Sequence, residues 1–263
     1  MPYKTLSVEK RNKGVAWVIV DNPPANAIGT ELMDELGAVA DELEADESVR
    51  VIVVTSNHPK TFLAGADLQG LMQGGDELAA DENPIATQSK KMQACFQKYA
   101  DMPKPIIAAI NGHALGGGCE FAMACDFRIM SQGRIGLTEL SLGIIPGAGG
   151  TQRMTKLLGR AKATELIFTA KQLEPQEALD VGLLTKVASP EDMEAVTTSF
   201  SEQLSEGAVH SMGLAKQAIH LAEGSLEDGL EFEANAFSRT FESDEPGIGL
   251  AAFFQKEKPQ FLV

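Results

Sequence analysis

Hydrophobic positions along this chain fall into two patterns. Short runs rich in β-branched residues, VAWVIV at 15–20, VRVIVV at 49–54, PIIAAI at 105–110 and FRIM at 127–130, are bounded by turn residues. They are nearly continuous in apolar side chains, which predicts strands covered on both faces. Between them the period lengthens. In TELMDELGAVADELEAD (30–46), Leu32, Leu36, Val39 and Leu43 fall on one stripe, with Thr30 as the expected cap and Asp34 and Glu35 in the early turns. That pattern predicts a surface helix packed on a sheet. Beyond about residue 190 strand runs cease and helical patterns follow, including 210–224 and 226–241. A strand, strand, helix rhythm recurs loosely before that point, without a sequence self-repeat. The stretch 69–89 mixes Gly, acidic and small residues with no apolar period, and is expected to form a mobile excursion, a lid or pocket wall.

The resulting expectation is an α/β fold with a helical tail, divided into a core over 1–195 and a helical region over 196–263. The 263 residues suffice for a sizeable core. Charge narrows the choice of partners. With 37 acidic and 22 basic side chains the net charge is −15, so the averaged surface field repels phosphate backbones and anionic membranes. Nucleic acid is not expected as a partner, nor is a membrane. An anionic small ligand would need a local cluster of Lys or Arg, which screening over about 10 Å permits. Cys95, Cys119 and Cys125 match no zinc spacing and are expected to be buried, reduced thiols. The N-terminal segment has no apolar signal core, and no run approaches the roughly 18 apolar residues of a membrane span. A cytoplasmic protein is the expectation.

The candidate chemistry lies in three segments. NGHALGGGCEFAMACDF (111–127) passes from a strand through Gly116, Gly117 and Gly118 into an apolar helix. The free N–H groups at that helix start suit an oxygen that gains negative charge, although tight packing alone would also call for glycine. Glu120, in the first turn, has apolar successors that would raise its pKa toward proton exchange; a partner of the helix dipole is the other reading. In AGADL (64–68), Ala64 and its small neighbours leave the N–H of Ala66 open to a ligand oxygen, while Asp67 can cap a helix that starts at Leu68. RIGLTELSLGIIPGAGGTQR (134–153) carries Glu139 in an apolar run and then a glycine turn at Pro146 and Gly147, opening a helix at about Thr151. No phosphate loop, dinucleotide fingerprint or nucleophile elbow is present. None of His58, His113, His210 and His220 sits in a nucleophile or metal motif, and His113 is expected to be a structural residue beside the pocket.

AGADL, NGHALGGGCE and TELSLGIIPGAGGTQR, in this order and at these intervals, closely resemble the crotonase superfamily, and within it the enoyl-CoA hydratases. PKPIIAAING, ACDFRI, ALDVGLLTKV and AAFFQKEKPQF extend the resemblance almost end to end. It implies a crotonase-like spiral of ββα turns with a C-terminal helical trimerisation region, assembled as a homotrimer or a homohexamer of paired trimers. It implies an acyl-CoA substrate whose thioester oxygen meets the N–H groups of Ala66 and Gly117. It assigns the two acids of a syn hydration to Glu120, which helps activate water, and Glu139, which supplies the Cα proton. No metal or redox cofactor is implied. Substrate contacts are carried onto Ala64, Ala66, Asp67, Leu68, Gly116, Gly117, Pro146 and Gly147, and the coenzyme A contacts onto Phe237, Phe253 and Lys256. Gln69 stands where a Lys is common, and Ile248-Gly249 where Glu-Gly is usual.

The same scaffold supports isomerisation and other acyl-CoA reactions, so an enoyl-CoA isomerase is the enzymatic alternative. Two glutamates exceed what an isomerase requires. A binding or assembly module, including an RNA-binding one, is the non-enzymatic alternative, and the acidic surface opposes it.

Overall fold

In the computed structural model, residues 3–66, 83–222 and 224–262 are described. Strand β1 (Leu6–Lys10) pairs antiparallel with β2 (Val15–Val20); every later pairing of regular strands is parallel. The chain then lays down strands in pairs. Strands β3 (Val51–Ser56), β5 (Ile106–Ile110), β7 (Phe127–Met130) and β9 (Lys186–Val187) extend one sheet in the order β1-β2-β3-β5-β7-β9. Strands β4 (Thr61–Leu63), β6 (His113–Leu115) and β8 (Ile135–Gly136) form a second, three-stranded sheet in sequence order. Helices α2 (Pro84–Asp101), α3 (Gly117–Ala124) and α4 (Gly150–Phe168) follow the three strand pairs in turn. Each turn of the spiral thus gives one strand to each sheet and then a helix. Helix α1 (Thr30–Ala45) follows β2 in the same rhythm, with Ile28 bridged to Ala66 where a small-sheet strand would lie.

Alternation along the large-sheet strands divides the core in two. Ala16, Val18, Val20, Ile52, Val54, Ile106, Ala108 and Ile110 face the main cluster under α1, α2 and α3. The intervening Val15, Trp17, Val51, Val53, Ile107 and Ala109 face the other side. There Met193, Phe200 and Leu204 of α6 (Met193–Ser205) cover them. These strands are buried on both faces, which accounts for their continuous apolar sequence. A short α5 (Pro175–Asp180) precedes β9; α7 (Val209–Leu221), α8 (Leu226–Thr240) and α9 (Glu245–Gln255) follow α6. The expected start of the helical region at 196 falls inside α6, whose apolar face belongs to the sheet.

Several boundaries differ from the sequence reading. The run at 49–54 becomes a strand at 51–56: the Val49 amide donates to Asp46 in the preceding turn, and the Arg50 amide donates to Gly14 just before β2. Thr30 is the first helical residue, and Gly29 occupies the cap position without a side-chain bond. Residues 84–89, expected in the mobile excursion, form the first turns of α2. Asn83 caps them, accepting from the Ala86 amide at 3.2 Å, and Pro84 needs no N–H at the helix start. The remainder of that excursion, with Asp67, Leu68 and Gln69, lies outside the described residues. All three cysteines are buried and free. Among the described residues no helix is long and apolar enough to cross a membrane.

Candidate active site

The glycines at 116–118 perform separate tasks. Gly118 packs α3 onto β4: a Cβ there would lie 2.0 Å from the Leu63 carbonyl oxygen. This close approach brings the start of α3 beside the chain leaving β4. A methyl at Gly117 would stand 3.2 Å from the Ala66 nitrogen, so the amides of residues 66 and 117 are neighbours. Gly65, at φ +99°, allows the strand end to turn beneath them. Neither the Ala66 nor the Gly117 N–H donates to a carbonyl among the described residues. One glycine thus serves packing, and another has an amide without a backbone acceptor among the described residues.

Buried Asn26 fixes the strand side of this arrangement. Its Nδ2 donates to Ser56 Oγ at 2.7 Å and to the Phe62 carbonyl at 3.1 Å, and its backbone carbonyl accepts the Ala64 amide at 3.2 Å. Nothing in the sequence pattern marked Asn26. An asparagine inside a proline-containing turn is ordinarily a surface residue, and only its 1 % exposure sets it apart.

Glu120, 2 % exposed, lies in the first turn of α3 and points toward the glycine turn before α4. Its Oε1 accepts the Ala148 and Gly150 amides, each at 2.8 Å. Burial raises its carboxyl above the ordinary range, while these two amides and the nearby Arg153 guanidinium draw it back. Glu139 opens a 3-10 turn, Glu139–Leu142, and its Oε1 would lie 3.1 Å from a Cβ on Gly116, one residue before the open amide. Its Oε2 is buried with no hydrogen-bond partner among the described residues. Burial pushes this carboxyl up to about 7, and the negative field of Glu120 adds to the rise. Burial raises both carboxyls, but their neighbours differ: two amide donors and Arg153 support the Glu120 anion, whereas the Glu120 charge further favours the protonated form of Glu139.

Of the residues singled out from sequence, the structure brings together Ala66, Gly116, Gly117, Glu120 and Glu139. Pro146 and Gly147 lie in the turn that holds Glu120, and Ala64 is an exposed residue at the end of β4. Phe237, Phe253 and Lys256 do not join this cluster within the chain. Phe237 and Phe253 are exposed on α8 and α9, and Lys256 caps α9 in the left-handed region. His113 accepts the Arg134 amide at 3.1 Å and serves the backbone, as expected.

Residues 10–262 match the family model described as enoyl-CoA hydratase/isomerase. The chain belongs to the enoyl-CoA hydratase/isomerase family. It is 35 % identical over 261 residues to the short-chain-enoyl-CoA hydratase of Clostridium acetobutylicum, covering 98 % of this chain and 97 % of that protein. It is 34 % identical to the crotonyl-CoA hydratase of Syntrophomonas wolfei, covering 100 % and 99 % of the two chains. A crystal structure of enoyl-CoA hydratase from Bacillus anthracis superposes with a TM-score of 0.88 at 32 % identity, covering 98 % of this chain and 99 % of the other. The spiral architecture expected from the motifs is therefore that of this family.

The raised Glu139 carboxyl carries a consequence for stability. Its pKa lies above the ordinary 4.5, so the folded chain holds this proton more tightly than the unfolded chain does. That contribution is fully present below about 4.5 and is lost as pH rises through about 7. Glu139→Gln, which stays neutral, is expected to melt above wild type at pH 8 and closer to it at pH 5, and thermal denaturation at the two pH values checks this.

Proposed function

We propose that this family member is an enoyl-CoA hydratase, adding water reversibly and syn across the double bond of a trans-2-enoyl-CoA to give a 3-hydroxyacyl-CoA. The observation that carries the reading is the placement of two carboxyls, buried Glu120 and half-buried Glu139, beside the neighbouring amides of Ala66 and Gly117. Glu120, whose anion is supported by two amides and Arg153, takes a proton from water as the oxygen attacks Cβ. The electron pair of the double bond moves toward the thioester, whose oxygen gains negative charge against the two amides. Glu139, favouring its proton, delivers it to Cα. Losing one such amide donor typically costs about 3 kcal/mol of barrier, so the backbone pair rivals the acids in weight. The reaction so written draws on carboxyl and amide groups alone, with coenzyme A entering as part of the substrate.

The test is isotopic. With crotonyl-CoA in ¹⁸O-labelled water the product gains the label at its 3-hydroxyl, and in deuterium oxide it gains one non-exchanging deuteron at Cα. An isomerase would introduce no oxygen.

The C-terminal helices support an assembly. Leu226, Leu230, Phe237, Phe241, Phe253 and Phe254 are all more than half exposed, large apolar side chains that a partner surface would remove from water. The assembly proposed is a homotrimer or a pair of trimers, with Phe237, Phe253 and Lys256 reaching the adenine and phosphate end of coenzyme A in a neighbouring subunit. Sedimentation is expected to give three or six times the protomer mass; a monomer at micromolar concentration would contradict it.

A further inference from the structure

Helix α2 carries Ser89, Gln93 and Gln97 at four-residue spacing, which places them on one face. Ser89 and Gln93 engage the turn that holds Glu120, and Gln97 engages Arg153 of α4. Ser89 Oγ and Gln93 Nε2 donate to the Gly147 carbonyl at 2.6 and 2.8 Å. The N–H of that same peptide unit is the Ala148 amide, which donates to Glu120 Oε1 at 2.8 Å. Gln97 Oε1 accepts Arg153 Nη2 at 3.0 Å, and Arg153 Nη1 donates to the Ala148 carbonyl at 2.8 Å. The two carbonyls flanking the Ala148 amide are therefore both fixed from outside the turn, one by α2 directly and one through Arg153. A peptide whose oxygen accepts two hydrogen bonds is polarised toward a stronger N–H donor and cannot rotate that N–H away without losing both.

We propose that Ser89, Gln93 and Gln97 are positioning residues for the Glu120 carboxylate, acting through the Gly147–Ala148 peptide and Arg153. The proposal rests on the reading of Glu120 as the group that activates water. It gives α2 a role beyond packing: the polar face of this helix sets a donor that favours the Glu120 anion, while its apolar face, with Met92, Phe96 and Tyr99, belongs to the core. The other charged or titratable groups that face Glu120 are Arg153 from α4, Glu139 from the 3-10 turn and Cys119 from its own helix. The expected response has a definite sign. The Ala148 amide favours the anion, so weakening its hold raises the pH at which Glu120 takes up a proton.

The experiment compares wild type with the double variant Ser89→Ala/Gln93→Leu and with Ser89→Thr, which keeps the hydroxyl. For the double variant kcat is expected to fall about tenfold with KM within about twofold, and the acid limb of the pH–rate profile to move up by about half a unit. Ser89→Thr should keep the wild-type profile. A second readout does not depend on hydration: the infrared carbonyl stretch of protonated Glu120, assigned by its loss in Glu120→Gln, should titrate at higher pH in the double variant. An unmoved titration midpoint overturns the positioning role, as does a kcat loss with an unmoved acid limb and a parallel rise in KM. If instead wild type fails to hydrate 2-enoyl-CoA while the infrared midpoint shifts, the positioning holds and the hydratase reading fails.

Discussion

Replacing Glu120 or Glu139 by Gln is expected to lower hydration of crotonyl-CoA by about a thousandfold or more while leaving the fold in place. Each change keeps side-chain volume and removes only the ability to exchange a proton. The two losses should differ in character. In Glu120→Gln the side-chain carbonyl can still accept the Ala148 and Gly150 amides, so the turn stays seated and the defect is in removing a proton from water. Glu139→Gln loses the proton that would pass to Cα, but its carboxamide can still point a polar group at substrate. Because both proton movements belong to one addition, the double variant should be little slower than the worse single one, as happens when groups act as a unit. Steady-state rates with purified variants, alongside melting curves, decide this. A variant that retains a tenth of wild-type activity would remove that residue from the chemistry.

The second large effect is expected from a residue that touches no reacting atom. Gly118→Ala places a methyl 2.0 Å from the Leu63 carbonyl oxygen and 2.8 Å from its carbon, both backbone atoms that cannot swing aside. Helix α3 and strand β4 must separate, at a cost of about 3 kcal/mol, the upper part of the usual overpacking range. For a chain of this size that corresponds to a fall of about 10 °C in melting temperature. The same separation pulls the Gly117 amide from the Ala66 amide, so the protein that remains folded should also be slow. A melting temperature within about 2 °C of wild type would show that the close contact relaxes at little cost.

The sequence patterns reveal the scaffold better than they reveal what holds the site. The large-sheet strands are legible because burial on both faces leaves an unbroken apolar run. Strands β6 and β8, three and two residues long, are too short to set a period, and they are recognised only once their parallel pairing is seen. Glu120 and Glu139 stand out because a carboxyl inside an apolar stretch is costly without a reason. Ser89, Gln93 and Gln97 do not, because polar residues spaced along a helix are the default for an exposed face. Their role depends on which carbonyl they meet, and that is a tertiary fact. Phe237 and Phe253 show the opposite case: the resemblance gives them a ligand role, yet within one chain they are exposed on the C-terminal helices.

The most direct measurement is the absorbance of the conjugated 2-enoyl thioester after wild-type protein is added to crotonyl-CoA. The absorbance is expected to fall to an equilibrium value as 3-hydroxybutanoyl-CoA forms, and Glu120→Gln and Glu139→Gln are expected to suppress both changes. The hydratase reading is contradicted if crotonyl- and longer 2-enoyl-CoA esters are left unchanged while a 3-enoyl-CoA is converted to its conjugated isomer.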